Sequence, residues 1–342
     1  MALAAYGKNG QLDEEGKAII ATLLNKNSNF RKINKHQVQS SAYFNVGLDA
    51  PRFASLAYHF SNAIFKIFHD FAKTIVVDDA PLLIVGGCGL NCDWNSKWIE
   101  TRLFSDVFIP PCTNDSGSSI GTAIDAMLYT RGLAKVTWSP YAGELSHDDL
   151  EGTDYFVKEP YYPRRVAELL NAGYILGWVQ GRYEVGPRAL GNRSILAAPY
   201  PRENLAKLNA IKNREGFRPI APVCLEECLA DYFYPVHPSP YMLEFRTVVS
   251  NAIPAVTHID NSARPQSVNN FQNPRMHELL NACRDVSGVG VLCNTSLNFN
   301  GRGFINKLSD LHRFANEHGL DGFVFENSLF LKSVDHNNEK PT

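Results

Sequence analysis

The chain has 342 residues, 44% of them hydrophobic and 20% charged, which suits two globular domains with separate cores. A formal net charge of −2 excludes a global field that would draw the protein to nucleic acid or to an anionic membrane, so any basic site must be local. No run approaches the roughly 18 apolar residues of a membrane span, and the N-terminus MALAAYGKNGQLDEEGK lacks a signal-peptide pattern.

The seven cysteines, odd in number and set in apolar or motif segments, read as buried free thiols in a reducing cytoplasm. Cys88 with Cys92 and Cys224 with Cys228 share a spacing of four, but neither pair has histidines in a zinc pattern.

Phe53, Leu56, Ala57, Phe60, Ile64, Phe65, Ile67, Phe68 and Phe71 recur close to the helical period and predict one amphipathic helix over 51–77. PLLIVGG predicts a buried strand before a tight turn, and DVFIP a second short strand. A Ser/Gly loop at Asn114–Ser119 leads into an apolar helix from Ile120. Between Gly132 and Glu159 the composition turns polar and irregular, which places a linker at 136–160 between an N-terminal part at 1–135 and a domain at 161–332. PRRVAELLNAG predicts a helix closed by Gly173; YILGWVQGR, SILAAP, PIAPVCL and GVGVLCNTS predict strands. A helix over SDLHRFANEHG, a last strand DGFVFE and a polar tail at 333–342 complete a mixed α/β reading of both halves.

Three segments carry chemistry. QGRYEVGPRALGNRSILAAP packs Arg182, Arg188 and Arg193 among Gly181, Gly186 and Gly191, so the backbone can turn sharply while guanidinium groups converge on an oxyanion. NAIKNREGFRPIAP adds Lys212, Arg214 and Arg218, with Glu215 the one acid among them. A solvated basic helix face is the alternative for this second run, but two such clusters between apolar strands call for an anionic partner. VLCNTSLNFNGRG ends a strand in Asn294, Thr295, Ser296 and Asn298, neutral groups able to hold phosphate oxygens.

Lys212-x-Arg214 with Ser296-x-Asn298 resembles the K-x-R and S-x-N signature of YrdC-type domains. GRYEVGPRALGNRSILA, IKNREGFRPIAPV, THIDNSARPQSV and LCNTSLNFNG together are similar to the C-terminal domain of the NodU/CmcH/TobZ O-carbamoyltransferases. Upstream, LLIVGGCGLNCDWNSKW and DVFIPPCTNDSGSSIGTAIDA resemble the later part of these enzymes' actin/sugar-kinase-type ATPase domain. The resemblance implies a YrdC-like α/β domain at 161–332 preceded by a partial actin/sugar-kinase-like lobe at 1–135, without that family's β-rich first lobe. The family's H-x-x-x-H metal pair occurs nowhere among the ten histidines.

By this resemblance, carbamoyl phosphate and ATP with Mg2+ meet Lys212, Arg214 and Arg188 as catalytic groups, with Arg193, Arg218, Arg264, Ser296 and Asn298 as binding groups. The implied product is carbamoyl adenylate. Gly86, Gly87, Asn91 and Gly117 are implied in nucleotide binding at the transfer step, with Asp115 as half of a metal site for Fe2+ or another divalent ion. The acceptor is a hydroxylated small molecule, and the implied partner is a separately encoded N-terminal lobe or a second copy of the chain. His258 and Asp260 in THID could serve as general acid and base, but His258 is read as a binding or structural residue because nothing in the sequence shows a proton needing its service. A regulatory module that binds nucleotide without transfer stays open as the alternative. RNA-directed chemistry through the YrdC link is disfavoured by the near-neutral charge.

Overall fold

A computed structural model of the chain describes residues 2–24, 35–150, 155–299 and 303–333. Helices α1 (Ala2–Tyr6), α2 (Glu14–Leu23) and α3 (Pro51–Ile75) come first, then strand β1 (Leu82–Leu83), α4 (Cys92–Thr101), β2 (Val107–Phe108) and α5 (Ser118–Arg131). Next are β3 (Phe156–Pro160), α6 (Pro163–Asn171), β4 (Leu176–Val179), β5 (Arg193–Ala197), α7 (Glu203–Ile211), β6 (Ala221–Leu225) and α8 (Leu229–Tyr232). The chain continues through β7 (Phe233–Tyr234), β8 (Arg246–Val248), β9 (Ser262–Ala263), β10 (Gln266–Val268), α9 (Pro274–Ser287), β11 (Val291–Ser296), α10 (Leu308–His318), β12 (Gly322–Phe325) and β13 (Ser328–Lys332). Its contacts divide it into two units: Met1–Leu82 with Lys97–Val107 and His258–Asn261, and Leu83–Ser96 with Phe108–Thr257 and Ser262–Thr342.

The first unit is helical. Asp13 caps α2 by accepting from the Gly16 N–H at 2.8 Å, and Pro51 opens α3, where its missing N–H costs nothing. A Cβ on Gly7 would lie 2.1 Å from the carbonyl oxygen of Ala54, so α1 reaches α3 only because that side chain is absent. Phe65 of α3 packs on Trp98 with ring centroids 5.0 Å apart.

The second unit is built on an eight-stranded sheet in the order β10-β6-β11-β5-β4-β12-β13-β3, with β10–β6 and β12–β4 parallel and the other pairs antiparallel. Strands β4, β5, β6 and β12 are buried along their whole length, which is why their sequences are nearly continuous apolar runs rather than alternating ones. Helix α6 buries Val166, Ala167, Leu169 and Leu170 and packs on α9, which in turn lies against β6 and β11; α10 lies on β12. A three-stranded sheet, β7-β8-β9, stands beside this main core.

The predicted helix over 51–77 and the strands in the second half are present, and the overall mixed α/β class holds. Several elements differ from expectation. PLLIVGG forms only the two residues of β1, and Leu83 and Val85 are 67% and 76% exposed, so apolar composition alone did not bury it. Helix α5 buries none of its residues, although it reads as apolar. The segment read as a linker is stitched into the fold: Leu145 bridges Arg182, His147 bridges Lys307, and β3 pairs with β13 at the sheet edge. DGFVFE is not the last strand, since β13 turns back on it. Cys88 is exposed, whereas the other six cysteines are buried. Residues 334–342 of the predicted polar tail lie outside the described residues.

Leu196 is wholly buried in the middle of the sheet, whereas Tyr129 of α5 is 92% exposed. Leu196→Ala is expected to lower unfolding stability by about 2–5 kcal/mol and Tyr129→Ala to change it by less than about 0.5 kcal/mol, both read by urea denaturation.

Candidate functional site

The loop from Glu184 to Arg193 joins β4 to β5 and is held almost entirely by buried polar side chains. Glu184 is fully buried, and its Oε1 accepts from the backbone N–H groups of Leu190 at 2.7 Å, Asn192 at 2.8 Å and Arg193 at 3.2 Å. Burial raises its pKa, opposed by those same N–H donors. Tyr141 Oη and Gln266 Nε2 both donate to the Leu190 carbonyl at 2.8 Å, and Trp178 Nε1 donates to that of Gly191 at 2.8 Å. Gly186 sits at φ +125°, and a Cβ there would lie 2.7 Å from the Pro111 carbonyl oxygen, so only glycine fits.

This scaffold sets Arg188. Its Nη2 donates to the Leu90 carbonyl at 3.0 Å, and its Nε is buried with no hydrogen-bond partner. Burial, and secondarily the neighbouring charge of Arg264, push its pKa down to about 10. Leu90 closes the short helical turn Gly87–Leu90, which follows Gly86 at φ +95°, and Asn95 Nδ2 ties that turn down through the Gly89 carbonyl at 2.8 Å. Gly86 and Gly87 thus build the turn whose carbonyl holds Arg188. Asn91 is buried and accepts from the Trp94 N–H at 3.5 Å at the start of α4.

The second wall comes from the end of α7. Asn209, 1% exposed, donates through Nδ2 to the carbonyls of Gly216 at 3.2 Å and Arg218 at 2.9 Å, while its Oδ1 accepts from Arg214 Nε at 2.6 Å. One buried amide therefore shapes the whole turn. Lys212, 6% exposed, donates to Asn298 Oδ1 at 2.5 Å and to the Asn298 carbonyl at 3.2 Å. Ser296 Oγ donates to the same Oδ1 at 3.4 Å. Burial, then Arg214, push Lys212 down to about 8; burial, then Arg218 and Arg264, push Arg214 down to about 10. Arg264, whose Nε is also buried without a partner, is the charge felt by both Arg188 and Arg214. Arg188, Arg264, Arg214 and Lys212 thus form one cation cluster edged by Ser296 and Asn298. Like charges so placed repel one another, a cost that an anion bound among them would relieve.

Other sequence-derived candidates lie elsewhere. Arg193 is fully buried, with Nη1 donating to the carbonyls of Gln180 and Asn192 and Nη2 to the carbonyl of Gly181 and to Asn306 Oδ1, at 2.6–2.9 Å. Its terminal nitrogens join strand ends, and its Nε is buried without a partner. Arg218 is half exposed and paired with Glu215 at 2.7 Å, a contact worth little in solvent. His258 and Asp260 belong to the helical contact unit, not to the one that holds the cluster. Asp115 is exposed in the turn Asp115–Gly117, where a Cβ on Gly117 would meet the Cys112 carbonyl at 2.2 Å. Among the described residues no three His, Cys, Asp or Glu side chains gather in one place. The sequence reading passed over Glu184 and Asn209. Glu184 is the one acid within the arginine-rich loop, which is the signal that could have found it; Asn209 inside a helix carries none.

The family model described as "Carbamoyltransferase C-terminus" matches residues 167–332, and "Carbamoyltransferase N-terminus" matches residues 1–124. The chain is 43% identical over 335 residues to 3'-hydroxymethylcephem-O-carbamoyltransferase of Amycolatopsis lactamdurans, covering 97% of this chain and 64% of that protein. It is 42% identical over 334 residues to the Streptomyces clavuligerus protein of the same description, again covering 97% and 64%. With nodulation protein U of Rhizobium tropici the identity is 40% over 253 residues, 69% of this chain and 44% of that one. The chain thus spans just under two-thirds of the cephem relatives' length.

Lys212 loses its charge progressively as pH rises through about 8, and its attraction for phosphate falls with it. Binding of pyrophosphate, followed by titration calorimetry, is expected to weaken above pH 8 by up to about tenfold per pH unit. Lys212→Met is expected to bind more weakly and to lose that inflection.

Proposed function

Because the chain belongs to the carbamoyltransferase family, we propose that it transfers a carbamoyl group to a hydroxyl of a small molecule and that the cation cluster is where the carbamoyl donor is activated. The observation that carries this reading is that Arg188, Arg264, Arg214 and Lys212 feel one another's charge near the Ser296 end of β11, where Asn298 holds Lys212. Such a cluster suits a substrate with several phosphoryl oxygens, and carbamoyl phosphate with ATP supplies them. The relatives whose descriptions name a reaction are O-carbamoyltransferases acting on a hydroxymethyl cephem, which supports a hydroxylated small molecule as the acceptor class.

In this reading carbamoyl phosphate gives up its phosphate to water, and the carbamate left behind attacks the α-phosphorus of ATP. The new bond is carbamate oxygen to phosphorus; the bond broken is to pyrophosphate, which leaves with its electron pair. Negative charge accumulates on the phosphoryl oxygens as that happens, and cations fixed in place before the reaction stabilise it most. Lys212, held by Asn298, and Arg214, held by Asn209, are fixed in this way. The acceptor hydroxyl then attacks the carbamoyl carbon and releases AMP. The Gly86–Leu90 turn supports this chemistry by holding Arg188 through the Leu90 carbonyl.

Purified chain incubated with ATP, carbamoyl phosphate and magnesium is expected to release pyrophosphate in proportion to carbamoyl phosphate. Lys212→Ala and Arg214→Ala are each expected to slow that release by about 100-fold or more. Wild-type chain that releases no more pyrophosphate with carbamoyl phosphate than without it would overturn the adenylate step.

A further inference from the structure

Lys212 and Arg214 are held by Asn298 and Asn209, residues inside the stretch 167–332 that the C-terminal family model matches. Arg188 is held from outside that stretch. Among the described residues its guanidinium donates to the Leu90 carbonyl at 3.0 Å and lies 3.9 Å from Cys92 Sγ, and both partners fall within the 1–124 match. A cation placed by one neutral carbonyl is only as fixed as that carbonyl, so whatever fixes Leu90 bears on the cluster.

The first turns of α4 do this. Asn95, 1% exposed, commits its Nδ2 to two carbonyls, that of Gly89, next to Leu90, at 2.8 Å and that of Leu243 at 2.7 Å. Ser96 Oγ accepts from the Phe245 N–H at 2.8 Å and donates to the Phe245 carbonyl at 3.2 Å, and the Cys92 thiol donates to the Met242 carbonyl at 3.5 Å. Side chains from one end of α4 thus clamp the backbone of residues 242–245, although Asn95 and Leu243 are 148 residues apart in the chain. The clamped segment is braced in turn. Glu244 accepts from Arg246 Nη2 at 2.6 Å, and the Arg246 side chain is fully buried. Met242, 2% exposed and at φ +55°, packs in a small apolar cluster with Leu190, two residues past Arg188. Both ends of Arg188 are therefore referred to one segment: its backbone through Leu190 on Met242, and its guanidinium through Leu90, Gly89 and Asn95 on Leu243.

We propose that Asn95 is a positioning residue for Arg188, locking the turn that carries the Leu90 carbonyl to the 242–245 segment, so that one arginine of the cation cluster is set by residues outside the cluster. The inference rests on the anion-binding reading above, and two measurements keep the two apart. In nitrogen-15-labelled chain the Nε–Hε resonance of Arg188, identified by its loss in Arg188→Lys, is expected to move in Asn95→Ala while that of the buried Arg193 stays in place. In titration calorimetry with pyrophosphate, Asn95→Ala is expected to bind about five- to tenfold more weakly than wild type, and Arg188→Met about 10- to 100-fold more weakly. Added to Arg188→Met, Asn95→Ala is expected to weaken binding no further; added to Lys212→Met, it is expected to show its full factor. The same factor lost on both backgrounds overturns the proposal, because a merely structural contact would act on either. An unmoved Arg188 resonance overturns it as well. Should Asn95→Ala not fold, Ser96→Ala, which removes only the two Phe245 bonds, is carried through the same comparison with an expected loss of about two- to fourfold. Wild type that binds no pyrophosphate removes the anion-site reading, and Asn95 then has no bound anion to serve, whatever the resonance shows.

Discussion

The carboxylate of Glu184, fully buried, draws the N–H groups of Leu190, Asn192 and Arg193 onto a single oxygen, and the position of Arg188 follows from that. Three N–H groups that would otherwise need water or a strand partner are satisfied by one side chain, so the loop can leave the sheet after β4 and re-enter at β5 without orphaned donors. The carbonyls of the same loop are taken by Tyr141, Gln266, Trp178 and Asn294. With both edges of its backbone engaged, the loop has little freedom to turn Arg188 away.

The cations on this scaffold are unfavourable to the fold itself. Arg188, Arg214 and Lys212 are each pushed below their ordinary pKa first by burial and then by a neighbouring arginine, a pattern enriched at functional sites. Each is anchored by a neutral partner: Arg188 by the Leu90 carbonyl, Arg214 by Asn209, Lys212 by Asn298. The anchors are neutral, so they orient the charges without cancelling them. A carboxylate in their place would do the opposite, as it does for the half-exposed Arg218 paired to Glu215.

The sheet order brings these groups together. Strand β11 lies between β6 and β5, so the Ser296 end of β11 meets the start of β5, where the Glu184 loop arrives. Asn298, just past the end of β11, reaches Lys212 at the end of α7. Strand β10 pairs with β6 and carries Gln266 close to Arg264. The site is a meeting of strand ends and loops from four separate stretches of chain, the usual place for ligands in an α/β sheet.

From the sequence alone, the buried strands β4, β5, β6 and β11, the long helix α3 and the list of candidate cations could be read, because continuous apolar runs and clustered charge are local properties. Local pattern also pointed to Ser296 and Asn298. It failed where burial depends on what packs above a segment: β1 and α5 are apolar but exposed, and β3 was hidden in a polar stretch because an edge strand needs an apolar face only where it touches the sheet. Only tertiary structure showed that both terminal nitrogens of Arg193 are taken by the carbonyls of Gln180, Asn192 and Gly181 and by Asn306 Oδ1. The same holds for the partners of Glu184 and Asn209. A hydrogen-bond partner is decided by distance in space. Lys212 and Asn298 are 86 residues apart in the chain and touch only because of the order in which the strands were laid down.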